Sequence, residues 1–404
     1  MKVVQINHVY KNGGSTGRIV YDLQRISVKQ GIDAYVGFGY EYSLTNEINT
    51  FRIESIPELK INILKTRLLA KHGFYNKMET KRLLMWLDSI KPDVIHLHNI
   101  HGHYLNAEML FNYIKLNSIP VVWTLHDCWS FTGWCAYFDF VQCEQWKTGC
   151  GNCPNRHEYP YTWFFDRSKS NYVNKKAIFT SVKKMIIVPP CRWLEGLVHQ
   201  SYLSLYPTKV IYNGVDLNVF KPTQSEIRGK IGIGSRKMIL SVAMGLSKRK
   251  GIEHIFKLAE MIDKSQQVIV MVGLSKDQIT SLPFGIIGIE RTNSPQELAA
   301  IYSAADVFIN PTFEDNYPTT NLEAIACGTP VVTYRTGGSP ESIYDGCGEI
   351  VDKGDLIAFF KAVERILQRG KGSQRCLEVA VEHFDKNKCF QKYIELYREI
   401  GEKK

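Results

Sequence analysis

The run Asn310–Thr333, NPTFEDNYPTTNLEAIACGTPVVT, carries residues whose types and spacing suit a ligand site. A strand is expected to end at Asn310, and a polar loop with the acids Glu314 and Asp315 follows. A helix is expected from Thr319 or Thr320, with Glu323 in its first turn. The unpaired N–H groups and positive dipole end of such a helix suit a diphosphate. A carboxylate at Glu323 can accept hydrogen bonds from ribose hydroxyls. The same spacing fits plain capping, with Thr320 as N-cap and Glu323 as its capping-box partner. Near the N-terminus, Asn12-Gly13-Gly14-Ser15 follows an apolar strand and reads as a strand-to-helix turn.

Two further clusters could carry chemistry. His96, His98, His101 and His103 crowd the stretch IHLHNIHGH, but their spacing matches no zinc pattern, and they read as strand-end residues lining an acceptor site. Cys135, Cys143, Cys150 and Cys153 are spaced C-x7-C-x6-C-x2-C, and Cys150-Gly-Asn-Cys153 resembles a zinc-knuckle turn. A structural zinc is the expectation there, with Cys128 and His157 as spare ligands. Free thiols or a disulfide are the alternatives, and a reducing compartment disfavours the disulfide. The same insertion holds Trp129, Trp134, Tyr137, Trp146, Tyr159 and Tyr161. Such rings stack on sugars and also anchor at lipid interfaces.

The elements that position these residues alternate between β and α. Lys2–Ile6, Ala34–Phe38, Val94–Leu97, Val121–Leu125 and Lys184–Val188 read as strands, with a helix from Thr16 to about Gln30. The β-branched runs bounded by Pro92 and Pro120 suit buried parallel strands. A second series begins near Lys209. Val210–Tyr212, Met238–Val242, Gln267–Val272, Ile286–Ile289, Val307–Asn310 and Pro330–Thr333 read as strands. Ile252–Ile262, Gln296–Ala304, Thr320–Ala326, Leu356–Gln368 and Lys388–Ile400 read as helices. The repetition indicates two doubly wound parallel sheets, whose ligands sit at the carboxyl ends of the strands.

Size agrees with that division, because 404 residues imply two domains of roughly 200 each. At 44% hydrophobic and 22% charged residues, the composition is that of a globular chain, not a disordered or fibrous one. No stretch reaches the roughly 20 apolar residues of a membrane-spanning helix, and the N-terminus lacks a signal-peptide h-region. A cytoplasmic location is the expectation. The net charge of +10 permits an anionic partner. Lys60, Lys65, Arg67, Lys71, Lys77, Lys81 and Arg82, interleaved with Ile61, Ile63, Leu64, Leu68, Leu69 and Phe74, suit an anionic membrane surface or an ordinary solvated helix.

The run from Asp315 resembles the signature of retaining glycosyltransferases of family 4, with the GT-B fold. That signature is an acid, seven residues and Glu-Ala, then a small residue before Cys-Gly-Thr-Pro-Val-Val. Asp315 and Glu323 hold the acidic positions, and Ala324 to Val332 follow the pattern. Gly337-Gly338-Ser339-Pro340-Glu341, Asn213-Gly214-Val215-Asp216 with Phe220, Tyr302 to Val307, Gly13-Gly14 and His126-Asp127 match further positions in order. The chain departs from the family in having Asp315 where Glu is usual, with Glu314 beside it. It also has Pro318 where Gly is usual, and lacks the Gly-Arg pair in Met244-Gly245-Leu246-Ser247-Lys248-Arg249-Lys250-Gly251.

The resemblance implies two facing Rossmann-like domains with a cleft between them. Residues 1–206 would form the acceptor-binding domain, with the Cys-rich insertion at about 128–160. Residues 207–385 would bind the donor, and the helix 386–404 would pack back on the first domain. It implies transfer from a nucleotide-diphosphate sugar, UDP or GDP, to a lipid-linked or saccharide acceptor with retention of configuration. Asp315 or Glu314 would face the sugar, His126 would touch it near O6, and Lys250 would stabilise the leaving diphosphate. Gly13, Gly14, Arg249, Lys250, Asn316, Thr319, Thr320 and Glu323 would bind the donor. Taken alone, His126 reads as a satisfied strand-end histidine. Cations and aligned N–H dipoles would stabilise the leaving group, so no metal cofactor is expected in catalysis. Capsule and exopolysaccharide transferases are similar in carrying such a Cys/Trp-rich insertion, which implies surface-glycan assembly and a place on the inner face of the membrane.

Three other readings remain. A sugar-nucleotide 2-epimerase shares the fold but differs in its motifs. A dehydrogenase would want Gly-x-Gly-x-x-Gly, and Gly13, Gly14 and Gly17 have the wrong spacing. A zinc-stabilised nucleic-acid binder would concentrate positive charge around the cysteines, which this sequence does not do, so no nucleic-acid partner is expected.

Overall fold

Short runs of Val, Ile and Leu between Pro and Gly bury both faces, and each becomes a strand of a parallel sheet. The computed structural model describes residues 1–11, 13–40, 47–242 and 245–402. Asn12 of the Gly-rich turn and Met244 before Gly245 lie outside the described residues. The chain divides into one unit of Met1–Tyr212 with Phe390–Lys404 and another of Asn213–Cys389.

The first unit holds β1 (Lys2–Asn7), β2 (Asp33–Phe38), β3 (Thr50–Arg52), β4 (Val94–Leu97), β5 (Val121–Thr124) and β6 (Met185–Val188). Their order is β3-β2-β1-β4-β5-β6, with every pairing parallel. The second unit holds β7 (Lys237–Val242), β8 (Gln267–Leu274), β9 (Ile286–Glu290), β10 (Val307–Asn310), β11 (Val331–Tyr334) and β12 (Gly348–Val351). Its order, β12-β11-β10-β7-β8-β9, is again all parallel and repeats the topology of the first sheet. Chain order reverses between β1 and β4 and between β7 and β10, so each unit has a crevice beyond the carboxyl ends of those strands.

Helices cover the sheets with one apolar stripe each. Ile252, Ile255, Leu258 and Ala259 of helix Ile252–Met261 pack with Phe359, Val363, Ile366 and Leu367 of helix Leu356–Arg369 over Ile239, Ile269 and Ile309. The last helix, Lys386–Glu402, reaches the first sheet through Tyr393, whose hydroxyl is 2.9 Å from Thr124 Oγ1, and Tyr397, 2.6 Å from His96 Nδ1.

One expectation needs correcting. Val210–Tyr212 forms no strand; the chain there runs beside β6 through an isolated bridge at Thr208 and bonds such as Lys209 N–H to Ile187 O (3.0 Å) and Ile211 N–H to Pro189 O (3.1 Å). The edge strands β3 and β12 were not read from the sequence.

Candidate active site

In the second unit the loops after β7 and β10 meet at the crevice. Arg249 donates from its guanidinium to Glu314 O (2.7 Å) and accepts at its own carbonyl from Phe313 N–H (2.8 Å). Lys250 and Asp315 form an ion pair beside them, with the lysine side chain about one-third exposed. Glu314 is buried at 1% exposure, so Asp315 is the more accessible of the two acids. Gly337 holds φ +54°, and a Cβ there would fall 1.7 Å from Asp315 O. Glycine is required at this close approach, where Gly338 N–H donates to the same oxygen (3.3 Å).

The helix Thr319–Ala326 starts after Pro318, whose side chain cannot cap it. Thr320 is therefore not the N-cap, and Glu323 lies past the first turn, which contains no acid. Both the capping-box reading and the first-turn placement are corrected. Glu323 is buried and accepts from the Tyr302 hydroxyl (3.1 Å), which orients its carboxylate. The N–H groups of Thr319 and Thr320 have no helical carbonyl ahead of them, which is the arrangement that receives an anion. Asn316 is buried between the two acids and this helix in sequence.

In the first unit Gly13 precedes the helix Gly14–Lys29, and Gly14 takes φ +79°. After β4 and β5 the histidines join hydrogen-bonded chains. His126 Nε2 is 3.0 Å from His98 Nδ1, and His98 Nε2 is 3.2 Å from Gln5 Oε1. Because the Gln5 oxygen can only accept, His98 carries its proton on Nε2, and His126 donates from Nε2. In that neutral tautomer Nδ1 is the acceptor nitrogen of His126. Burial pushes the His126 pKa down to about 4, although Asp127 opposes the shift, so the ring is neutral at pH 7.

A second chain was missed by the sequence reading. The Tyr159 hydroxyl is 3.0 Å from His101 Nδ1, and His101 Nε2 is 2.7 Å from Asp127 Oδ2. His101 and Asp127 border a small recess that His98, His126, Trp123 and Trp129 also line. Only the adjacency His126-Asp127 hinted at this in the sequence, since Tyr159 arrives from the insertion. His96 bonds Tyr397 and Thr124, and His103 bonds Thr66 (3.1 Å), so the four histidines meet protein partners instead of converging on an ion.

Cys135, Cys143, Cys150 and Cys153 all lie in the insertion. All four thiols are free, and no group of three or more His, Cys, Asp or Glu among the described residues is placed to hold a metal ion. Cys150 Sγ accepts from Gly133 N–H (3.1 Å). A hydrogen bond with Cys153, then burial, raises the Cys135 thiol well above its ordinary pKa. Burial raises the Cys150 thiol to about 11, whereas the hydrogen bond with Cys135 lowers Cys153, so these thiols act on one another within the insertion. The insertion is held by an aromatic core of Phe131, Phe138 and Trp146 and by a buried lysine. Lys175 Nζ donates to Trp129 O (2.7 Å) and Thr132 O (2.9 Å) and lies 3.4 Å from the Trp129 ring centroid.

Two parallel sheets of repeated topology, with a cation-bearing loop and a helix start at the second crevice, define a GT-B glycosyltransferase. Residues 16–219 match the family described as Glycosyltransferase Family 4, and residues 223–383 match Glycosyl transferases group 1. The chain belongs to glycosyltransferase family 4. It is 24% identical to the putative colanic acid biosynthesis glycosyl transferase WcaC of Escherichia coli (strain K12), over 88% of this chain and 89% of that protein. Its fold is similar to that of sucrose-phosphate synthase from Thermosynechococcus elongatus, with TM-score 0.72, 16% identity and 99% of each chain covered. It is also similar to Anabaena HepE in complex with UDP, with TM-score 0.68, 16% identity, and 99% of this chain and 100% of that one covered.

Proposed function

We propose that this glycosyltransferase moves a sugar from a nucleotide-diphosphate donor to a lipid-linked saccharide, with retention of configuration, in surface polysaccharide assembly. The observation that carries the reading is the loop pair Arg249–Lys250 and Glu314–Asp315 beside the start of helix Thr319–Ala326. Its cations and N–H dipoles suit the charge that builds on a departing diphosphate. Glu323, oriented by Tyr302, would take the ribose hydroxyls, and Asn316, Thr319 and Thr320 would contact the donor, as would Gly13 and Gly14. Asp315, the more accessible acid, would face the sugar, and neutral His126 would accept a sugar hydroxyl at Nδ1.

In this scheme the bond from the anomeric carbon to the β-phosphate oxygen breaks as the bond to the acceptor oxygen forms on the same face. The acceptor proton passes to the departing phosphate, and the nucleoside diphosphate leaves. The side chains bind and orient, and no metal is assigned a step. HepE was solved with UDP and with UDP-glucose, which supports UDP as the first base to try, with GDP next. The likeness to WcaC supports a polysaccharide pathway.

A thermal-shift panel of UDP-, GDP-, ADP- and CMP-sugars and NAD(H) tests the donor. The reading expects one nucleotide-diphosphate sugar to stabilise the protein and Lys250→Ala to remove most of that shift. Stabilisation by NAD(H) alone, or by none of the panel, would contradict it.

A further inference from the structure

The helix Ile56–Leu69 is built inside out for a soluble protein. Ser55 caps it through a capping box with Glu58, so its limits are well defined. Its buried residues are polar: Asn62 donates to Glu54 (3.3 Å), and Thr66 bonds His103 (3.1 Å). Four of its apolar residues, Ile56, Ile61, Leu64 and Leu69, are exposed at 43–52%, while Leu59, Ile63 and Leu68 are half-buried. Lys60, Lys65 and Arg67 lie exposed among them, and Lys71 follows the helix.

A second exposed apolar stretch is fastened to its end. Thr162 Oγ1 and Trp163 N–H both donate to Arg67 O, at 3.1 and 2.9 Å, and the Arg67 guanidinium sits 5.7 Å from the Trp163 ring centroid. Tyr161, Trp163, Phe164 and Phe165 are 39–67% exposed. Arg156 and Arg167 flank them. The nearby acids are less available: Glu58 is bonded to Ser55, and Asp166 accepts from Cys153 N–H (2.6 Å) and Ser168 N–H (2.8 Å), leaving Glu158. The basic segment Lys60–Arg82 has two readings in the sequence, and only the structure reveals which face points out and joins it to residues 161–165.

We infer that this joined surface, Ile61, Leu64 and Leu69 with Trp163, Phe164 and Phe165, docks the N-terminal unit on an anionic lipid bilayer. Aromatic and aliphatic side chains enter the interfacial layer, while Lys60, Lys65, Arg67 and Lys71 meet the headgroups. Basic residues set among the apolar ones fit a charged bilayer better than a second copy of this chain, whose matching surface would oppose them with like charge.

Co-sedimentation of the full chain with phosphatidylcholine vesicles, without or with phosphatidylglycerol, tests this. Binding is expected only with the anionic lipid and is expected to fall as salt rises. Lys60→Glu with Lys65→Glu should weaken it on the order of tenfold or more, and the triple change Trp163→Ser, Phe164→Ser and Phe165→Ser should abolish it. Both variants should keep the wild-type melting temperature and the wild-type thermal response to donor, which separates this surface from the donor reading. A wild-type chain that stays in the supernatant with anionic vesicles would overturn the inference. So would charge reversal without effect, or concentration-dependent self-association that the triple variant removes while vesicle binding is absent.

Discussion

Asp315 and Lys250 neutralise each other, and a diphosphate would compete for the same ammonium. Asp315→Asn frees the lysine. It should bind the bare nucleoside diphosphate several-fold more tightly while losing transfer activity, since the carboxylate proposed to face the sugar is gone. Titration calorimetry and initial rates on one preparation check both signs. Equal weakening of the two would mean that Asp315 only orders the loop. The run from Asp315 to Val332 was legible because it is contiguous. The place of Glu323 within its helix was not, because Pro318 removes the side-chain cap and the true start depends on the loop before it.

At the scale of elements, Lys175 shows what a linear reading cannot reach. Its helix, Ser168–Phe179, brings the ammonium beneath the insertion, where burial drives its pKa well below the usual lysine value. Lys175→Met keeps the stem but leaves the carbonyls of Trp129 and Thr132 without this donor. A loss of about 2 kcal/mol is expected, read as a lower melting temperature and faster proteolysis within the insertion. An unchanged melting temperature would mean that other groups take over the carbonyls. The cysteine spacing shows ligand types, whereas the bond between Cys135 and Cys153 is visible only in the folded insertion. The outward face of Ile56–Leu69 was hidden for a related reason: periodicity locates a stripe without saying which side is buried.

For the whole molecule, the central strands were legible because strands buried on both faces need unbroken apolar runs. Edge strands such as Thr50–Arg52 are short and half-buried, so they leave no such run. Tertiary burial also sets the response to acid. Burial pushes His8 to about 3, His103 and His126 to about 4, and His72, His96 and His98 well below the usual value of 6.5. Their folded pKa values lie below the unfolded ones, so their contribution is complete above about pH 6.5 and is lost as pH falls towards 4. Each group contributes up to about 1.4 kcal/mol per pH unit. Glu54, raised to about 7 mainly by burial, acts in the opposite sense as pH rises from 4.5 to 7, but it is one group against six. The melting temperature should therefore drop steeply between pH 6.5 and 4. A flat profile there would contradict neutral buried imidazoles.

The most direct measurement follows the anomeric proton by NMR while the purified chain acts on the sugar nucleotide that stabilises it, in the presence of a saccharide-lipid acceptor. The account predicts release of nucleoside diphosphate, a product with the donor's anomeric configuration, and little turnover by Glu323→Gln, a variant that keeps an acceptor for Tyr302. An inverted product, or full activity in Glu323→Gln, would contradict the assigned site and mechanism.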